Sequence, residues 1–272
     1  MTAAALQPVR NILEFSRIGF VNILAFRLRY YTGVVTYLIN VTVYYFIWKA
    51  LYVNDPDFAR GFSFGEMVTY VAVGWVIRSV YFNNIDQNMA ADVLEGKIAM
   101  SLLRPVSIQT NYIGRALGEA AFRLFLLTTP SALVIFFLFP VQGPASGMHF
   151  AAFLASLVAS ILLTAAMNFL VGSCAVRMTS ILGLLRAKFY VQELLSGLLV
   201  PMTMFPPAMQ TIMNYLPFEH IAYTPLRIYL GKMDGLEIGR VLGIQFFWVA
   251  VLFLAGHWLW EAMARKITIH GG

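Results

Sequence analysis

The sequence predicts an all-α integral membrane protein. It reads as six transmembrane helices, with an interfacial helix ahead of them, a cytoplasmic helix after the second span and broken, re-entrant helices before the sixth. Three observations carry this. The 272 residues are 60% hydrophobic and 12% charged, half the charge of an ordinary soluble domain (about 25%). Six continuous apolar runs reach the length of about 20 residues that a spanning helix needs. Lys and Arg are rich in alternate connections and poor in the others, as the positive-inside rule requires. Barrel strands would be about 10 residues long and alternating.

A single domain of residues 1–272 follows, with 1–29 as the interfacial helix, 30–263 as the six-span bundle and 264–272 as a tail. Val9 to Leu28 puts Arg10, Glu14 and Arg17 on one helical face and Ile12, Phe15, Ile18 and Ile23 away from it. That pattern suits a helix lying in the inner interface; the competing reading is a cytoplasmic extension of the first span. The first six residues are too short for a signal-peptide core, so the first helix is expected to be retained.

The first run, Tyr30–Val53, carries a stripe of Tyr30, Tyr37, Tyr44, Trp48 and Tyr52, with Asn40 between Tyr37 and Tyr44. Trp48 and Tyr52 suit an interfacial belt. Tyr37 and Asn40 lie deeper, where hydroxyl and amide groups need partners in protein or water. Helix–helix hydrogen bonding and the lining of a pathway for amphiphiles both remain open. The second run, Gly65–Ile85, holds Arg78 towards its inner end. A polar stretch from Asp92 to Pro105 then forms a proline-terminated helix, a surface for a partner that does energy-consuming work.

In the third run, Ala116–Phe139, Glu119 and Arg123 stand four apart, spaced to pair. The fourth, Phe150–Val176, has Ser156, Ser160, Thr164, Asn168 and Gly172 at four-residue steps, a pattern for close helix approach. Gly239 and Gly243, opening the sixth run (Ile238–Met263), read the same way. The fifth, Leu184–Phe205, contains Glu193 beside Gln192. Ionisable groups in a span are costly and mark a role. Structural pairing is the reading for Arg78, Glu119 and Arg123; Glu193 is the functional candidate. Beyond the fifth run the helix breaks at Pro206, forms short turns from Ala208 to Leu216, breaks at Pro217 and forms another piece from Ile221 to Leu230. Neither piece is long enough to span, so both are expected to dip into, or cover, the outer leaflet.

The net charge of +6 reflects topology and gives no nucleic-acid signal. Arg10, Arg17, Arg27 and Arg29 precede the first span; Lys97, Arg104 and Arg115 fill the second connection; Arg177, Arg186 and Lys188 the fourth; Arg265 and Lys266 the tail. The first connection sets Arg60 against Asp55 and Asp57, the third is uncharged, and the fifth has Arg227 and Lys232 among acids. Both termini are therefore expected in the cytoplasm. One cysteine, Cys174, excludes an intrachain disulfide. No phosphate loop, zinc-protease helix or nucleophile elbow is present, and the four histidines are scattered. The chain is expected to be no enzyme and to bind no metal or cofactor.

Leu94-Glu95-Gly96-Lys97 followed by Leu102-Leu103-Arg104-Pro105 forms one motif. Ser196-Gly197 leading to Pro201, Pro206 and Leu216-Pro217-Phe218 forms another. In this order and topology the chain resembles, over nearly its whole length, the permease subunits of type-two ATP-binding-cassette exporters. The bacterial branch grouped with daunorubicin- and viologen-type exporters is the nearest likeness. The resemblance implies that the stretch after the second span is a coupling helix that docks on a separate cytoplasmic ATPase. Its docking residues would be Asp92, Leu94, Glu95, Gly96, Leu102, Leu103, Arg104 and Pro105. Leu94, Leu102 and Leu103 would anchor, Glu95 and Arg104 would orient, and Pro105 would end the helix. It also implies a second permease, identical or a sister subunit, and an ATPase dimer holding ATP and Mg, all at the bacterial inner membrane and among its lipids. The first, second and fifth spans would face the pathway, making Tyr37, Asn40, Tyr44, Glu193, Met202 and Phe205 its candidates; Met202 and Phe205 read equally as packing surface. Export of a hydrophobic or amphiphilic compound is the implied function. Two alternatives stay open: a permease for a polysaccharide or lipid-linked glycan, suggested by the aromatic stripe, and an ATP-independent carrier or membrane enzyme, suggested by Glu193 and the Glu119/Arg123 pair.

Overall fold

The computed structural model describes residues 3–24, 27–56, 58–59, 61–103, 106–178 and 180–264, with side chains left out of the description for 3–9, 22–24 and 27–31. Every regular element among the described residues is helical. The expectations for Arg27, Arg29, Asp57, Arg60, Arg104, Pro105, Arg265 and Lys266 fall outside what is described.

The chain opens with α1 (Ala3–Leu24) and α2 (Arg27–Asn54). A capping box starts α3 (Phe64–Tyr81): the Ser63 side chain accepts from the Glu66 amide and Glu66 accepts from the Ser63 amide. Two short helices follow, α4 (Ile85–Leu94) and α5 (Ile98–Leu102). Ser107 caps α6 (Ile108–Arg123), which continues through a π turn (Leu124–Thr128) into α7 (Thr129–Leu138). Pro130 explains the π turn. It has no N–H and its ring crowds the carbonyl four residues back, and just before it the Thr129 amide and hydroxyl both donate to Leu124 O, the hydroxyl at 2.7 Å. Ser146 caps α8 (Gly147–Ser173). Then come α9 (Leu182–Leu195), α10 (Pro207–Met213), α11 (Glu219–Tyr229) and α12 (Gly235–Ala264).

Among the described residues four helices are long and apolar enough to cross a membrane: Thr32–Asn54, Ile108–Leu138, Gly147–Val176 and Gly235–Ala264. The predicted second and fifth spans are helices too, but short ones. In α3, Glu66 and Arg78 fall within 18 residues. In α9 the helix stops after 14, ten residues before the predicted exit at Phe205. The cause is Gly197, whose φ of +75° is left-handed and whose missing Cβ lets the Tyr223 side chain approach to within 2.7 Å of where it would sit. Likewise the predicted helix from Asp92 to Pro105 is two helices, because Gly96 turns the chain at φ +69°.

The axis of the fold is α8. It packs against α12, α11, α4, α6 and α3, and Ser156, Ser160, Thr164, Asn168 and Gly172 are all buried along it. Gly239 and Gly243 behave differently from expectation: a Cβ at either would meet nothing within 4 Å, so they bring no helix of this chain close. The closest helix approach is instead that of α1 to α6. A Cβ on Gly118 would lie 1.8 Å from Ser16 O, and Ser16 donates to Gly114 O at 2.9 Å. Phe15 is buried against α6, whereas Leu13 and Val21 remain exposed on α1.

Candidate functional site

The polar corner after α3 is built on a fixed base. Ile98 turns inward and joins a buried cluster with Ile85, Met89 and Tyr112. The Tyr112 hydroxyl donates to the Asp92 carboxylate at 2.5 Å. Asp92 thus faces its own protein and holds α4 to α6. Glu95 pairs with Lys97 across the Gly96 turn, and this hydrogen bond raises the Lys97 ammonium above its ordinary pKa. Outward from this base project Leu94 (76% exposed), Met100 (69%) and Leu103 (86%), with Leu102 beside them. Met100 was not singled out from the sequence; its position within α5, three residues before Leu103, is the signal that could have found it.

A break at Phe82–Asn84 joins this corner to the bundle. Phe82 is extended, and its carbonyl accepts a hydrogen bond from the Arg123 guanidinium. Its ring lies between two guanidiniums, 5.2 Å from Arg78 and 5.5 Å from Arg123. Arg123 also pairs with Glu119 at 3.4 Å, as their spacing predicted. Asn83 accepts from the Asn168 amide at 2.8 Å. Lys188 reaches both Asn168 Oδ1 (2.5 Å) and Asp86 (2.7 Å). Asp86 and Lys188 had drawn no joint reading, being 102 positions apart in the chain.

Above this break a cleft of about 690 Å³ opens between α2, α3 and α6, with Tyr37, Trp75, Arg78, Phe82, Glu119 and Arg123 on its walls. Tyr37 meets Trp75 edge-on at 5.7 Å, and Tyr44 packs on the same indole at 6.1 Å. Trp75 therefore organises the aromatic stripe of the first helix, a role not foreseen. Arg78 donates to both carboxylate oxygens of Glu193, at 2.7 and 3.1 Å. Two residues read separately in the sequence are one fork-shaped pair. The cleft thus has aromatic walls, and each of its two cations is paired to a carboxylate.

The remaining candidates lie elsewhere. Asn40 donates to Thr36 O of its own helix at 2.8 Å. Met202 is 3% exposed, inside the main core cluster, and Phe205 packs at the edge of that cluster while its carbonyl accepts from Gln210. Neither touches the cleft.

The half of the bundle away from the Leu94–Leu103 corner is closed by the short helices. The Tyr70 hydroxyl donates to Gly197 O, and the Tyr223 amide donates to Ser196 O at 3.0 Å. At its other end α11 meets the connection between α7 and α8, where Tyr229 donates to Gln142 O at 3.1 Å. A comparison with curated proteins returns no match. A family model described as ABC-2 family transporter protein matches residues 38–271, and the chain belongs to that family of membrane-embedded ABC permeases, which work with an ABC ATPase.

Proposed function

We propose that this chain is a six-span exporter permease of the bacterial inner membrane, both termini cytoplasmic, moving a hydrophobic or amphiphilic compound. A separate ATPase dimer, holding ATP and Mg, supplies the energy, and a second permease, identical or a sister subunit, completes the pathway. The observation that carries the reading is the corner of Leu94, Met100 and Leu103, exposed on a base that Ile98 and the Asp92–Tyr112 bond hold in place. Exposed apolar groups on a rigid mount are what a docking anchor needs.

From this corner α4 leads to Asp86, and the Lys188 pair hands its motion to α9. On α9 the next rung is Glu193, which holds Arg78 at the cleft. Closure of the ATPase dimer pushes on α4, the rungs shift, and the cleft between α2, α3 and α6 changes its opening. The cleft's paired charges and aromatic walls suit an amphiphile without a large net charge. The same Tyr37–Trp75 wall, backed by Tyr44, would also stack a sugar, which is the ground for the glycan reading. A proton-driven carrier needs acids free to titrate; Glu193 and Glu119 are each taken by a guanidinium, which weighs against it.

The test is Leu103→Glu in the cells' own complex. We expect co-purification of the ATPase to fall at least about tenfold, with the permease's own stability unchanged within about 0.5 kcal/mol. Undiminished assembly and transport would refute the docking assignment.

A further inference from the structure

We infer that the crevice between the end of α4 and the start of α9 is a binding site for an anionic phospholipid, separate from the transport cleft. The crevice has a volume of about 560 Å³, within the range of sites for small molecules (roughly 300–1,000 Å³). Its floor is apolar: Ala90, Ile181 and Leu185 are buried there together with Ala175. Its rim is apolar too, with Leu182 63% and Tyr190 68% exposed.

Two arginines set the chemistry of the occupant. Arg186 lines the crevice, and Arg177 stands between the lining residues Ala175 and Met178. Both are exposed. Among the described residues no acid pairs with either, whereas Arg78, Arg123 and Lys188 each have a carboxylate partner. A hydrocarbon floor with the Arg186 guanidinium at its wall, and the exposed Arg177 next in sequence to two lining residues, complements a molecule with an acyl chain and a phosphate diester. On the proposed topology, on which this step rests, the crevice lies at the cytoplasmic end of the bundle, where basic pockets between helices gather anionic headgroups. Leu94 belongs both to the crevice and to the docking corner, so an occupied crevice braces that corner from behind. A zwitterionic lipid brings its own cation to the same phosphate and loses much of the attraction.

The experiment is native mass spectrometry of the purified full-length chain in micelles containing phosphatidylglycerol and phosphatidylcholine. We expect phosphatidylglycerol to be retained preferentially. Arg177→Ala/Arg186→Ala should cut that preference about tenfold, while Ala90→Phe, with both arginines intact, should lower retention of both lipids by filling the floor. Arg10→Ala/Arg17→Ala, basic residues away from the crevice, should change nothing. An unaltered preference in the Arg177/Arg186 variant overturns the assignment. So does full competition by glycerol phosphate, which lacks chains, or displacement of the lipid by the ATPase, which would give the crevice to the protein partner. None of these readouts needs transport, so the site stands or falls apart from the export reading.

Discussion

Two helices, α11 and α9, are held in opposite styles. In α11 ten of eleven residues are buried, and its start is tied into a charge-free knot. Gln245 of α12 donates to Ser156 O, to the Ser160 hydroxyl and to His220 O, at 3.1, 3.3 and 2.7 Å, while its own oxygen accepts from Ser156 at 2.9 Å. In α9 Leu185 is the one buried residue of fourteen. What holds α9 is a ladder facing α4 and α3: an apolar rung at Ala90 and Leu185, then Asp86–Lys188, then Arg78–Glu193, and finally the Tyr70–Gly197 bond. Dense packing with neutral hydrogen bonds has few alternative arrangements. A ladder of discrete rungs with little buried area can exchange partners one rung at a time. The block of α8, α11 and α12 is therefore the frame, and α9 is the helix with the least buried surface holding it in place.

The sharpest way to break this contrast is Arg78→Ala. It leaves the half-buried Glu193 without its partner and should cost about 2–3 kcal/mol, read by chemical unfolding in micelles. Arg78→Met/Glu193→Leu should recover most of that loss, because replacing both members of a buried pair by apolar groups is near neutral. A double variant as unstable as the single one would show that the rung is not what holds α9. Next in size is Gln245→Leu, expected to cost about 1–2 kcal/mol, as hydrogen bonds between membrane helices do. A loss larger than that of Arg78→Ala would reverse the ranking of frame and ladder. The smallest expected effect is Leu182→Ser on the exposed face of α9, within about 0.5 kcal/mol on the single chain. A larger loss would mean that this face is already part of the core.

The frame was more legible in sequence than the ladder. The four-residue step from Ser156 to Gly172 marks the buried face of α8 because helix geometry alone brings those residues into line. Serines at positions 63, 107 and 146 start helices for a local reason, and Pro206 and Pro217 bound α10 for another. The ladder has no local signature. Arg78 and Glu193 are 115 positions apart, and each reads alone as a costly charge. The break at Phe82–Asn84 contains neither proline nor glycine; it is held from outside by Arg123 and Asn168. Gln245 carries most of the knot, yet a single amide in an apolar run gave no hint of its partners. Of the pathway candidates, Tyr37 lines the cleft and Glu193 touches it through Arg78, because an unusual group deep in a span needs a companion. Asn40 finds its companion within one helical turn, an outcome that spacing cannot distinguish.

The π turn at Leu124–Thr128 has a consequence for everything beyond it. One additional residue in a helix rotates the downstream portion by roughly 100°. That rotation decides that Ile135 points inward, fully enclosed, and that Phe137, 88% uncovered, points away from the bundle. Pro130 thus acts as a phase setter, fixing which side of the Ile108–Leu138 helix is turned away from the bundle without altering a single side chain on it.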